Sequence, residues 1–515
     1  MRAWWRGLLC LLLVLGAAQA AAEVPITPQP RRLGVADGLP SANINAFAED
    51  RRGYMWLASH DGLARFDGRN FRIWRAEDGL RDNLIWSLHV DAGNRLWFGT
   101  QNAGLGMLSA DRRSFRFFDR ETYPQIASNT VWSIASTPDG SVWFGTPTAG
   151  LYRVAVDGTI QRFMPVPGQP DSLPSASIAY LAVTPDGVLW VGSKGGLARW
   201  TGSGFEREGE AVLPSPRING LKVDGAQRLW IATNGGVVVR HRDGRFERMQ
   251  WPGSEYGHVL NVLQYASDGN YWLDTLQGLG RSRNGAEVNN VPLYSAQERG
   301  MVKPNWSTAY EDREGGLWFA STNAGLWHLS PNWRQFSVLA RHLDDPSSLR
   351  NPYALAMAAS ASGGIWVVGT RGALDRLDPA SGAVEHHLQP VDGIHWPQSV
   401  AEDPQGRVWI GSLDTLVRYD PRDGAVRRWR HDDAVDAAMV GDGDIVRICD
   451  GQVWIYSEDG GIQQRDAQGR VILHLAPGQH GLPQGALQDM QCGPGNRLWL
   501  SGATGLLAWQ PQAGA

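Results

Sequence analysis

The sequence predicts an all-β chain, a β-propeller of four-stranded blades, and three observations carry that prediction. A Trp-centred phrase, "GNRLWFGTQNAGLGML" at residues 93–108, returns as "GSVWFGTPTAGLYRV" and recurs until it has been written eleven times. Its anchors are Trp56, Trp97, Trp143, Trp190, Trp230, Trp272, Trp318, Trp366, Trp409, Trp454 and Trp499, spaced 40–48 residues apart. That is the period of a propeller blade. The 515 residues include 24 Trp and 62 Gly, many large side chains to bury and many turns to make.

Each unit divides into four short strands. An apolar strand such as "TVWSIAS" runs into an Asp/Gly turn. The Trp strand follows and ends on a small residue with Ser or Thr, as at Gly99-Thr100, Gly145-Thr146, Gly192-Ser193 and Ala232-Thr233. A Gly turn leads to a "GLxR" strand, then to an outer strand such as "SFRFF". Short β-rich runs punctuated by Gly read as antiparallel sheet. The Trp is expected to pack between adjacent blades, and the small residue two positions on allows their close approach. The eleven Trp are therefore assigned to the core, not to a ligand. A solenoid would place one strand in each short coil rather than four in each unit.

No Trp-Asp pair closes any unit. The pattern (Ile/Val)xx(Ile/Leu)…Asp…Gly…(Leu/Val)-Trp-hydrophobic-(Gly/Ala)-(Thr/Ser)…Gly-Leu-x-Arg instead resembles the two-component regulator propeller repeat of bacterial periplasmic sensors. The resemblance runs from about Arg32 to Trp509. Four departures stand out. Asp274 and Tyr456 replace the small residue, Trp366 is followed by one extra residue, and the copy at Trp409 lacks Gly-Leu. The resemblance implies two seven-bladed propellers, a small β-sandwich, one membrane helix and a cytoplasmic histidine kinase or diguanylate cyclase.

Seven copies, Trp56 to Trp318, make one complete ring, assigned to residues 23–338. Four more make a partial second ring at 339–515, read as a truncation. The stretch "QPRRLGVADGLP" before the first copy matches "RIWRAEDGLRDN" between the first two. The N-terminal segment is therefore expected to donate the outer strand that closes the ring and hides its edges. Residues 1–22 have Arg2 and Arg6, a short apolar run and Ala-x-Ala sites, a secretory leader that is cleaved near Ala20 or Ala22. The mature chain is then periplasmic. Cys449 and Cys492 remain. An oxidising compartment permits a bridge, but spacing does not establish geometry, so two partly buried thiols are expected.

A net charge of −4 gives no electrostatic case for nucleic acid or anionic membrane. The sequence has no phosphate-binding Gly loop, nucleophile elbow or metal-ligand motif, so no cofactor or metal is expected, and no catalytic role. His386-His387 read as surface histidines, and the acidic stretch at 441–444 as a hairpin turn rather than a calcium loop. Eleven residues before each Trp of the first ring stand Asn45, Trp86, Trp132, Ala179, Asn219, Asn261 and Ser307, each preceded by an apolar residue. Amides that read hydroxyls beside aromatic faces suit a sugar, while the plainer reading is a water-lined channel. The candidate ligand residues are Asn45, Trp86, Trp132, Tyr180, Asn219, Asn261, Lys303 and Trp306. The expected function is a sensor propeller for a small molecule such as an oligosaccharide, with a homodimer of the full-length form as a further expectation. The alternatives are a propeller-fold polysaccharide lyase or hydrolase, with Asp274 as its odd carboxylate, and an envelope interaction scaffold.

Overall fold

The structure is a computed structural model. It describes residues 28–510 apart from 251–258, 284–286, 296, 299, 336–337, 342–345, 391–393, 414, 431–444, 458–460, 485–486, 496 and 503–504. The leader, His258 and the acidic stretch at 441–444 lie outside the described residues. The chain divides into two compact units, one spanning Ile26–Val338 and the other containing Leu339–Ala515.

Seven four-stranded antiparallel sheets make up the first unit among its described residues, with one extra hairpin, Leu293–Ser295 with Gly300–Val302. The innermost strands are Ile44–Glu49, Ile85–Val90, Ser133–Ser136, Ile178–Val183, Ile218–Val223, Val259–Tyr265 and Trp306–Glu311. Each lies against the next, and the last lies against the first, so the sheets form a closed cycle. The strand Arg31–Leu33 pairs with Leu326–Leu329 as the outer strand of the last sheet. The N-terminal strand of the unit thus closes the ring by a backbone ladder to its last blade, leaving no unpaired edge at the seam.

The repeat residues explain each sheet. In the second, the Asp91 carboxylate accepts the Arg95 backbone N–H at 2.9 Å, capping the tight turn, and the Trp97 indole N–H at 2.7 Å. The same latch joins Trp56 to Asp50, Trp230 to Asp224, Trp318 to Asp312 and, in the second unit, Trp409 to Asp403. Thr137 and Thr184 replace the carboxylate for Trp143 and Trp190. A buried indole N–H needs such an acceptor. The strand register sets the Arg of "GLxR" opposite the Trp, as in Trp56 with Arg65 and Trp190 with Arg199. In the first unit the Ser or Thr that ends each Trp strand closes the following turn. Thr100, Thr146 and Thr233 donate to the carbonyls of Gly104, Gly150 and Gly236 at 2.8 Å. Gly104 and Gly150 in turn donate to the carbonyls of Asn129 and Ala176, just before the next sheet's inner strand.

The second unit contains three four-stranded sheets and one of three strands among its described residues. Here the expectation of two thiols is corrected, because Cys449 and Cys492 are disulfide-bonded with Cα atoms 5.4 Å apart. Cys449 ends the inner strand of one sheet and Cys492 sits in the inner strand of the next. These strands lie side by side, and sequence spacing does not reveal that proximity. A 43-residue separation favours stabilisation by closing a long loop. Cys449→Ser with Cys492→Ser is expected to lower the urea resistance of this unit by about 2–4 kcal/mol. Urea curves that superimpose for oxidised wild type and double variant would contradict this. His386 is half-buried rather than a plain surface residue, with Asp375 at 2.7 Å and the Pro346 carbonyl at 2.8 Å.

Candidate functional site

The innermost strands surround a cavity of about 210 Å³ in the first unit, to which all seven sheets contribute. The inner strands around it share a repeated irregularity. A β-bulge falls at Asn45, Trp86, Ala179, Asn219 and Ser307. A bulge takes a side chain out of strict alternation and re-aims it. The residue before each bulge, Ile44, Ile85, Ile178, Ile218 and Trp306, is buried and packs in the core.

Five of the eight candidate residues meet at this cavity: Asn45, Trp86, Trp132, Tyr180 and Asn261. Two of them also serve the scaffold. Asn45 donates its amide N–H to the Ile85 carbonyl at 2.8 Å, tying one blade to the next. Trp86 donates to Gln101 at 2.6 Å and meets His60 edge-on. Burial raises the Tyr180 hydroxyl above its usual pKa, opposed by Arg217. Asn261 is one level deeper than its sequence count suggests. The sixth sheet has a second bulge between Val262 and Gln264, so Asn261 pairs with Asp274, as Ala46 pairs with Ala58. Its buried amide oxygen has no hydrogen bond among the described residues and lies against Gly220, where any Cβ would collide with it.

The other three do not join this group. Asn219 sits outside the cavity lining and bonds Asn234 at 2.7 Å. Trp306 is 7 % exposed and packs with Phe319 and Trp327. Lys303 donates to the Leu276 carbonyl. Lys303 and Trp306 line a separate cavity of about 220 Å³ with Gln277 and Asn290. Burial pushes the Asp274 carboxyl up to about 6, opposed by Lys303, but Asp274 lines neither cavity.

One channel residue was missed by counting from the Trp. Lys222 lines the cavity from the fifth inner strand, opposite Trp230 in register. Burial alone pulls its ammonium below the usual lysine pKa. The available signal was composition, since Lys194, Lys222 and Lys303 are the three lysines among 48 basic residues. Among the described residues no group of His, Cys, Asp and Glu could hold a metal, and no helix is long and apolar enough to cross a membrane.

Three segments, residues 38–61, 79–102 and 125–148, match the two component regulator propeller family. The chain resembles the extracellular domain of BT3049 from B. thetaiotaomicron, described as a hybrid two component system. The identity is 17%, over 94% of this chain and 71% of that one, with a TM-score of 0.67. It also resembles the extracellular domain of BT4673 from the same organism, at 18% identity over 92% and 64% of the two chains, with a TM-score of 0.48. Virginiamycin B lyase from Staphylococcus aureus aligns with 59% of this chain and 98% of its own, at 15% identity and a TM-score of 0.47. No curated protein matches the sequence. At these identities the likeness is one of fold, an all-β propeller architecture of repeated antiparallel sheets carrying regulator propeller repeats.

Proposed function

We propose that this chain is the exported sensor region of a signal-transduction protein, and that it binds a small molecule in the channel of the first propeller. The observation that carries the reading is the convergence of Trp86, Trp132, Tyr180 and Asn261 on one cavity of about 210 Å³ inside a ring of regulator propeller repeats. Aromatic faces supply area for a sugar ring, and an unpartnered amide oxygen accepts a hydroxyl. The leader-like N-terminus supports export. Transmission to a histidine kinase or a diguanylate cyclase is part of the proposal and rests on the regulator propeller repeats.

The cavity's volume favours a monosaccharide or disaccharide end over a long chain. Calorimetric titration with a panel of neutral and acidic monosaccharides and disaccharides tests the reading. At least one is expected to bind, and Trp132→Ala is expected to weaken it about tenfold, or ~1.4 kcal/mol. Binding that is indifferent to Trp132→Ala would place the ligand elsewhere. No binding across the panel would contradict the sugar reading.

A further inference from the structure

Among the described residues, the cavity of the first ring is lined by a single cation and no carboxylate. Lys222 is the one charged side chain lining the cavity, and Tyr180 the one other titratable group there. No hydrogen bond or ion pair reaches the Lys222 ammonium from the described residues, and burial is the sole influence on its pKa. The inner-strand residues at its level, each opposite a blade Trp, include Ala182 and Gln264 on the two flanking strands, and His89 and Tyr310 farther round. The Gln264 amide donates to the Tyr265 carbonyl, His89 pairs with Ser136 and is itself lowered by burial, and Tyr310 donates to Glu49. No described residue of the channel neutralises the amine.

Residue choice sharpens the point. The chain uses Arg 45 times and Lys three times. Arg stays charged wherever it is buried, whereas Lys can shed its proton. A half-buried amine that lines the cavity without a partner among the described residues is a cost that folding alone gives no reason to keep. We infer that the channel ligand is an organic anion, a carboxylate or a phosphate on a small hydroxylated body, and that Lys222 is its charge partner. This rests on the channel-binding reading and adds the class of ligand to it. Trp86, Trp132 and Tyr180 meet the ligand's body, and Lys222 meets its charge. The charged ammonium is the binding form, so affinity falls as pH rises through the Lys222 pKa, which burial holds below the usual lysine value.

With three lysines in the chain, amine chemistry reports on this site directly. The full chain is treated with acetic anhydride at a series of pH values, and modification of Lys222 and Lys194 is read by mass spectrometry. Lys222 is expected to have the lower reactivity midpoint. Millimolar glucuronate, glucose 6-phosphate or inorganic phosphate is expected to shield it at least fivefold, while glucose is not. Shielding by glucuronate alone assigns a carboxylate, and shielding by the two phosphates alone assigns a phosphate. In calorimetry, Lys222→Met is expected to weaken the shielding anion at least tenfold, and Lys222→Arg less. A Lys222 midpoint equal to that of Lys194 without anion shielding overturns the proposal. Glucose shielding as well as the anions, with Trp132→Ala abolishing both, overturns the charge assignment but leaves channel binding intact. Binding unaffected by either variant removes both.

Discussion

Asp50→Ala is expected to destabilise the first unit by about 3–5 kcal/mol. The Asp50 side chain is 1 % exposed and the Arg112 side chain paired with it at 3.0 Å is 7 % exposed. Asp50 belongs to the first blade and Arg112 to the second, so one carboxylate serves the turn, the blade Trp and the joint between blades. It accepts the Trp56 indole at 2.9 Å and the backbone N–H of Arg52 and Tyr54. Removing it leaves a buried guanidinium without its ion-pair partner and a buried indole N–H without an acceptor, the costly way to break such a network. Urea unfolding followed by Trp fluorescence measures the loss, and a change under 1 kcal/mol would show that Asp50 is not the hub described.

The same carboxylates set an acid limit. Burial alone would raise Asp50, Asp91 and Asp224, but the indole, arginine and backbone donors outweigh it and hold all three below the usual aspartate value. A lowered folded pKa contributes stability that is fully present above the unfolded value of about 3.9. That contribution is lost as pH falls through the lower folded values. Stability is therefore expected to be level from pH 7 to about pH 5 and to fall steeply below about pH 4. Asp50→Asn should flatten the fall.

Gly99→Val is expected to cost about 3 kcal/mol or more. An added Cβ would sit 2.5 Å from the Val131 carbonyl oxygen and 2.8 Å from Val131 Cγ1, and would also collide with the Ser87 hydroxyl. Val131 belongs to the next blade and is fully buried, so neither side can yield without moving a sheet. Gly145 against Ile178 and Gly192 against Ile218 repeat the contact. Gly300→Ala is the control, because its nearest neighbour would lie 3.8 Å away, and its effect should stay within about 0.5 kcal/mol. Equal thermal midpoints for the two variants would refute the close-approach explanation of the small residue after each Trp.

Much of this was legible because the determinants are local and repeated. Trp, the Asp six residues before it, the small residue two after it and the hydroxyl that follows are all fixed within one blade. Even the closing strand was visible, because "VADGL" before the first copy matches "RAEDGL" before the second. What escaped depended on register or on distant partners. Asn261 was misplaced because the second bulge of its strand adds a residue that counting from Trp272 cannot detect. Trp306 was offered as a ligand residue, yet it fills the packing position that Ile44 and Ile85 fill in their blades. The Cys449–Cys492 bond needs two inner strands to lie side by side. Lys222 was overlooked because its isolation is a property of the channel, not of its neighbours in sequence.

Hydrogen exchange of the full chain, with and without the tightest-binding acidic or neutral sugar from the panel, tests the central claim most directly. Binding in the channel predicts slowed exchange concentrated in peptides spanning Ser133–Ser136, Ile178–Val183 and Ile218–Val223, the strands that carry or adjoin Trp132, Tyr180 and Lys222. Protection confined to other strands at saturating ligand would contradict it.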